Sequence, residues 1–166
     1  LLHLASIWQQ PDSGIWEIRG EPRHFTYSKL MAWVAFDRGI KSSQEFDLAG
    51  PVGDWRRTRD DIHHDVCANG YNQNLGHFVQ AYGGKELDAS LLLIPSIGFL
   101  PPTDRRVRAT VEAIERELLV DGFVRRYDTD RTADGLPPGE GLCLDRKGGG
   151  AGKWVNLGGR RIINKK

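Results

Sequence analysis

A chain of 166 residues with 27% charged side chains, 39% residues of the AVILMFWYC set and five tryptophans has the composition and length of one globular domain. That balance excludes a wholly disordered chain, a collagen and a coiled coil, and no apolar run is long enough to cross a bilayer as a helix. The net charge of +1 conceals an acidic body and a basic end: residues 1–141 hold 16 basic against 21 acidic side chains, and residues 142–166 hold seven against one.

The first ten residues, LLHLASIWQQ, carry no basic n-region and no small-residue cleavage site, so no signal peptide is read there. They start as if already inside a helix, and a piece of a larger protein is expected. From His24 to Gly39 the pattern predicts a helix, with Thr26 as its cap and Phe25 and Leu30 at staple spacing. Along it Leu30 and Val34 make one stripe, Met31 and Ala35 a second, and Lys29, Trp33 and Asp37 a third. Pro51 to Cys67 predicts a second helix, with Val52, Trp55, Ile62 and Val66 on one face and Asn69-Gly70 as its end.

Phe78 to Tyr82 reads as a short extended segment. Lys85 to Phe99 predicts a third helix, apolar around its circumference and therefore one that needs neighbours on every side. Pro101-Pro102 breaks the chain. Thr103 is expected to cap a fourth helix whose face is Val107, Val111, Ile114 and Leu118, closed by Gly122. Residues 123–127 read as extended, and residues 131–141 as a Gly/Pro loop. The class is all-α with about four helices. An all-round apolar helix in so short a chain also predicts self-association through exposed apolar surface.

Residues 142–166 depart from this pattern. They contain six glycines and seven basic residues, with Trp154 as the single aromatic, and they show neither helical stripe nor strand alternation. Two segments are expected: a helical body over 1–141 and a disordered, off-pattern tail over 142–166. A basic tail can meet phosphates through charge alone, but such contact is non-specific, and no nucleic-acid or membrane partner is expected. Cys67 and Cys143 make no disulfide framework, which fits free thiols in a reducing, cytoplasmic setting. His63, His64, Asp65, Cys67 and His77 lack paired-ligand spacing, since neighbouring side chains on a helix point apart, so no metal is expected. Gly148 to Lys153 lacks the spacing of a phosphate loop, and no cofactor is expected.

Two acids stand out. Glu17 lies in PDSGIWEIRG, between Trp16 and Arg19, and taken alone it reads as one half of a surface Glu–Arg pair. Glu140 sits between Gly139 and Gly141, on a loop that gives it no packing role. Two carboxylates facing one cleft is what glycoside hydrolysis requires.

The strings PDSGIWEIRGEPRHFTYSKLMAWVAFDRGI, GHFVQAYGGKELDASLLLIPSIGFLPPTDRRVRATVEAIERELLVDG and DGLPPGEG resemble glycoside hydrolase family 15, in its bacterial and archaeal glucoamylase/trehalase branch. The resemblance runs in register from about residue 8 to 141 and is lost at Leu142, where an altered reading frame or a truncation is expected. It implies an (α/α)6 toroid, here incomplete, with the site at the mouth of the inner helices. It implies inverting hydrolysis of α-linked glucosides: starch-type oligosaccharides, glucans or trehalose. By resemblance Glu17 matches the general acid and Glu140 the general base. Trp16 and Arg19 would line the sugar subsite, Lys29 and Trp33 are expected to bind substrate from the helix behind it, and Asp37-Arg38 belong to that helix. The alternative is a carbohydrate-binding or assembly piece without activity of its own.

Overall fold

The computed structural model describes residues 1–129. Five α-helical segments occur there: α1 (Leu2–Ile7), α2 (Thr26–Glu45), α3 (Val52–Asp65), α4 (Leu93–Ser96) and α5 (Arg105–Glu117). Two small antiparallel hairpins accompany them, β1 (Tyr71–Asn72) with β2 (His77–Phe78), and β3 (Leu119–Val120) with β4 (Phe123–Val124). α2 packs on α3, and α5 closes over β2 and the turn that precedes α4. Phe36 and Leu30 from α2, Ile62 from α3, Leu91 and Ile94 near α4, and Ile114 from α5 meet in one core from which water is excluded.

α2 outruns the expected end at Gly39 and continues to Glu45. Gly39 is there for close approach: a Cβ at this position would lie 2.5 Å from Leu1 Cδ1 and 3.9 Å from the Trp55 ring. At the other end Thr26 is not the cap. Phe25 holds that position without a side-chain bond, and Thr26, fully buried, donates its hydroxyl to the Val79 carbonyl at 2.6 Å. The start of α2 and the residues before it bond instead to the stretch that follows β2, where Phe25 pairs with Ala81. Thr26 N–H donates to the Gln80 carbonyl at 2.9 Å and Tyr82 N–H to the His24 carbonyl at 3.0 Å.

α3 passes into a wider π-helical turn, Val66–Gly70, so the Asn69-Gly70 stop falls where the sequence placed it. Asn69 reaches back to Asp65 at 2.8 Å. His63 stacks against Phe99, with ring centroids 4.5 Å apart, and His77 places Nδ1 2.8 Å from its neighbour's carbonyl, so each of these rings has a packing or bonding role.

The largest departure is Lys85–Phe99. A single long helix is expected, but residues 85–88 are irregular, and a 3₁₀ turn (Ala89–Leu92) leads into the four-residue α4. The backbone of this stretch bonds elsewhere: Gln80 N–H donates to the Glu86 carbonyl and Ala89 N–H to the Arg126 carbonyl, both at 2.8 Å. Asp88 then caps the turn, and Gly98, at φ +81, ends α4. Leu91 and Ile94 are buried while Leu93 is 37% exposed, so the segment is not enclosed on all sides. Among the described residues no helix is long and apolar enough to cross a membrane.

α5 follows its expected stripe, with Val107 and Ile114 buried, but its cap is Asp104 rather than Thr103. The Asp104 carboxylate accepts Arg106 N–H at 2.8 Å and is forked by the Arg106 guanidinium. The hydrogen bond from Arg106 holds this carboxyl below its ordinary value, against an opposing effect of burial. A carboxyl depressed in the folded state stabilises the fold above its unfolded value and loses that contribution as pH falls through the folded one. Asp104→Ala is therefore expected to cost about 1 kcal/mol in urea unfolding at neutral pH. Asp104→Asn keeps the cap and loses only the charged pair. Its stability difference from the parent should shrink once pH drops below 3.8, and a difference that stays constant into acid would refute the linkage.

Candidate active site

The GIWE segment is built as a closed loop. Asp12 and Arg23 pair their backbones in both directions at 2.9 Å, which pinches residues 13–22 into one excursion from the surface. The Asp12 carboxylate accepts Gly14 N–H at 2.6 Å and the Ser28 hydroxyl at 2.8 Å, so the same residue that closes the base also turns the chain and fastens it to α2. Gly14 stands at φ +69 with the Phe25 ring against it. Within the loop Ile18 N–H returns to the Ser13 carbonyl at 3.0 Å.

At the tip Glu17 has φ +49. Two other non-glycine residues share this region, Asp47 and Asp121, and aspartate tolerates it better than glutamate does. Glu17 is exposed, and so is Arg19. Trp16 is half-buried: its indole N–H donates to Asp88 Oδ2 at 2.9 Å, the Arg126 guanidinium lies over its ring at 5.4 Å, and Tyr127 meets it at 6.5 Å with a 58° tilt. Asp88, only 3% exposed, also accepts Gln80 Nε2 at 2.9 Å and Ser90 N–H at 2.7 Å.

The stripe Lys29–Trp33–Asp37 is buried throughout. The Lys29 ammonium donates to the carbonyls of Trp8 and Gln10, the latter at 2.7 Å, and so holds the chain where it enters the loop. Burial pushes this ammonium below the ordinary lysine range, while Asp12 and Asp65 hold it up. Trp33 is a core residue whose ring meets Phe99 edge-on at 5.2 Å. Asp37 gathers Arg38, Lys41 at 2.8 Å and Arg59 at 3.9 Å, and Arg38 also reaches the Ile97 carbonyl at 3.0 Å, so this pair ties α2 to α3 and α4.

Trp16, Glu17 and Arg19 thus share one loop, and Lys29 secures its entry. Trp33 stands in the core, and Glu140 lies outside the described residues. Asp12, Gln80, Asp88 and Arg126 were not singled out from sequence. The Asp12-x-Gly14 spacing of an Asx turn was a local signal for the first, and Asp88-Ala89-Ser90 for the capping role of Asp88; nothing local marks the bond between Asp88 and Trp16, 72 positions away. Among the described residues no group of three or more His, Cys, Asp or Glu side chains is arranged to hold a metal.

The loop's shape depends on Gly14. A Cβ there would lie 2.9–3.1 Å from three Phe25 ring atoms, on a backbone that L residues avoid. Gly14→Ala should cost about 1–3 kcal/mol in denaturant unfolding. Adding Phe25→Leu should recover part of the Gly14→Ala loss; fully additive costs would show that the ring contact is not what constrains the turn.

Comparison with known proteins agrees with this architecture. The model of Glycosyl hydrolases family 15 matches residues 1–152. A trehalase of Thermoplasma acidophilum is 45% identical over 139 residues, covering 83% of this chain and 23% of that protein. A trehalase of Mycobacterium tuberculosis is 50% identical over 134 residues, covering 81% and 20%. The chain therefore spans about a fifth of the length of the curated relatives it matches. A solved wild-type glycosidase superposes with a TM-score of 0.68 at 23% identity, over 77% of this chain and 34% of that one, and a glycosidase variant in complex with glucose gives the same values. At that identity the likeness is one of fold, and it makes the helical body part of an (α/α)6 toroid. With 152 residues matched by the family model, the chain belongs to glycosyl hydrolases family 15.

Proposed function

We propose that this chain carries the acid-bearing loop of an inverting α-glucoside hydrolase that acts on trehalose, with Glu17 as general acid. The observation that supports this most is the tip of the GIWE loop. An exposed glutamate is held in the left-handed region, on a loop closed at its base, beside a tryptophan fixed from behind. Backbone strain of this kind costs on the order of 1 kcal/mol or more and concentrates where function needs a side chain placed. The trehalase names of the curated relatives support the substrate. The same reading places the protein in the reducing cytoplasm, where Cys67 stays a free thiol.

In this mechanism the protonated Glu17 carboxyl gives its proton to the bridging oxygen as the C1–O bond breaks. A water on the opposite sugar face attacks C1 and loses its proton to a second carboxylate. The two acids must stand about 6.5–9.5 Å apart to admit that water. Glu140 is proposed as the second, on its GEG motif. Trp16 supplies a ring for the apolar face of a pyranose and Arg19 a donor for its hydroxyls. Lys29 and Trp33 serve the site from within, by fixing the loop's entry and the helix beneath it.

Trehalose gives this mechanism a specific signature. A single displacement converts the attacked glucose to the β-anomer and releases the other as α, so fresh product should contain both in equal amounts by proton NMR; two α-anomers would mean retention. Glu17→Gln should lower trehalose hydrolysis by about 10²–10⁴-fold and spare α-glucosyl fluoride, whose leaving group needs little protonation. Glu140→Gln should lose both activities, with partial rescue by azide. Full activity in Glu140→Gln assigns the base to the part of the relatives' length that this chain does not span. Sugar binding by calorimetry with no hydrolysis at all assigns the alternative, a carbohydrate-binding piece.

A further inference from the structure

Residues 15–20 make only one side-chain hydrogen bond to the rest of the described residues, the bond from the Trp16 indole to Asp88. Its acceptor is not an incidental surface acid. Asp88 is nearly enclosed, and its carboxylate collects N–H donors from three separate stretches of chain: Trp16 in the loop, Gln80 after β2, and Ser90 in its own turn. A buried carboxylate must be satisfied in this way, and hydrogen bonds to a charged acceptor are the strong ones. The donors are divided between the two oxygens. Oδ1 takes Ser90 N–H as a helical cap, and Oδ2 takes Trp16 and Gln80 together. Capping therefore occupies one oxygen, while the other does nothing but fix two distant side chains.

We propose that Asp88 is a positioning residue that sets the place of the Glu17 carboxylate by holding the Trp16 indole. The proposal rests on the reading of Glu17 as the acid. The loop is closed at Asp12–Arg23 and turned at Gly14, and Glu17 N–H and Ile18 N–H bond back to the Gly14 and Ser13 carbonyls at 3.3 and 3.0 Å; these backbone bonds shape the loop within itself, and the indole bond is what ties its tip to the packed body. Trp16 and Glu17 are joined by one planar peptide, so a freed indole lets the tip swing and carries the adjacent carboxylate with it. Tight placement of the acid is worth having, because a displacement near 1 Å at a reacting group costs on the order of 10²-fold in rate.

The test compares the chain with Asp88→Asn by NMR, using indole ¹⁵N and glutamate ¹³Cδ labels; Trp16→Phe and Glu17→Gln assign the two signals. Asparagine keeps an oxygen for Ser90 N–H, so the cap survives, but it turns an NH₂ toward two donors that need an acceptor. The Trp16 indole N–H should move upfield and exchange with solvent about tenfold faster or more, the scale of a hydrogen bond to a charged group. The Glu17 ¹³Cδ signal should shift and broaden with it. Trp16→Phe removes the same bond from the other end and should disturb Glu17 in the same sense, and the two changes together should add little beyond either alone. Gln80→Leu, which removes the other donor to Oδ2, should leave Glu17 where it is. An unmoved Glu17 signal in Asp88→Asn, or in Trp16→Phe where Asp88→Asn does not fold, overturns the proposal. These spectra report position alone, so a negative glucosyl fluoride comparison would remove Glu17 as acid and leave the placement of its side chain by Asp88 as a separate result.

Discussion

A buried ammonium has to be given acceptors, and Lys29 obtains two by drawing the chain at Trp8 and Gln10 against the first turn of α2. Much of the site follows from that requirement. With the chain held there, Asp12 falls beside Ser28, the residue before Lys29 on the same helix, and can bond both its hydroxyl and the turn at Gly14. The backbone of Asp12 then meets that of Arg23, and the loop closes. The first turn of α2 therefore serves as a foundation for a loop whose remaining shape comes from its own backbone bonds.

The same helix carries a second polar device three turns from its start. Asp37 collects three cations, one of them from α3, and its neighbour Arg38 bonds a carbonyl after α4. Lys29 and Asp37 flank Trp33, which packs into the core. Apolar contact gives these helices most of their cohesion, and the two polar clusters determine how they are arranged. An apolar stripe tolerates small rotations of one helix on another, whereas an ion pair or a buried ammonium does not.

The sequence made some of this legible and hid the rest for physical reasons. α5 could be read because its apolar residues recur at helical spacing; its cap was misplaced by one residue, and it ends at Glu117 rather than at Gly122 because Leu119–Val120 pair with Phe123–Val124 as a hairpin. The stripe Lys29–Trp33–Asp37 could be read as one face, and its resemblance to family 15 placed it behind the site. What the stripe bonds could not be read, since carbonyls at Trp8 and Gln10 leave no mark in composition. Lys85–Phe99 misled because apolar content does not distinguish a buried helix from an irregular buried segment. Pro95 and the Asp88-Ala89-Ser90 cap were the contrary signals, and the carbonyl partners at Glu86 and Arg126 decided the outcome. The loop that carries Glu17 was found through its motif. Its tether was not, because Trp16 and Asp88 are 72 positions apart and nothing local relates them.

An indole has one donor and no acceptor. In Trp16 that donor is already committed to Asp88, and Arg126 sits over the ring. Whatever this residue offers a passing molecule is flat, greasy surface with no directional bond to give. It can meet only the hydrocarbon face of a ring, where an axial hydroxyl stands in the way and an equatorial one does not. In the proposed site, hydrogen bonds that read individual hydroxyls must therefore come from other side chains, Arg19 among them.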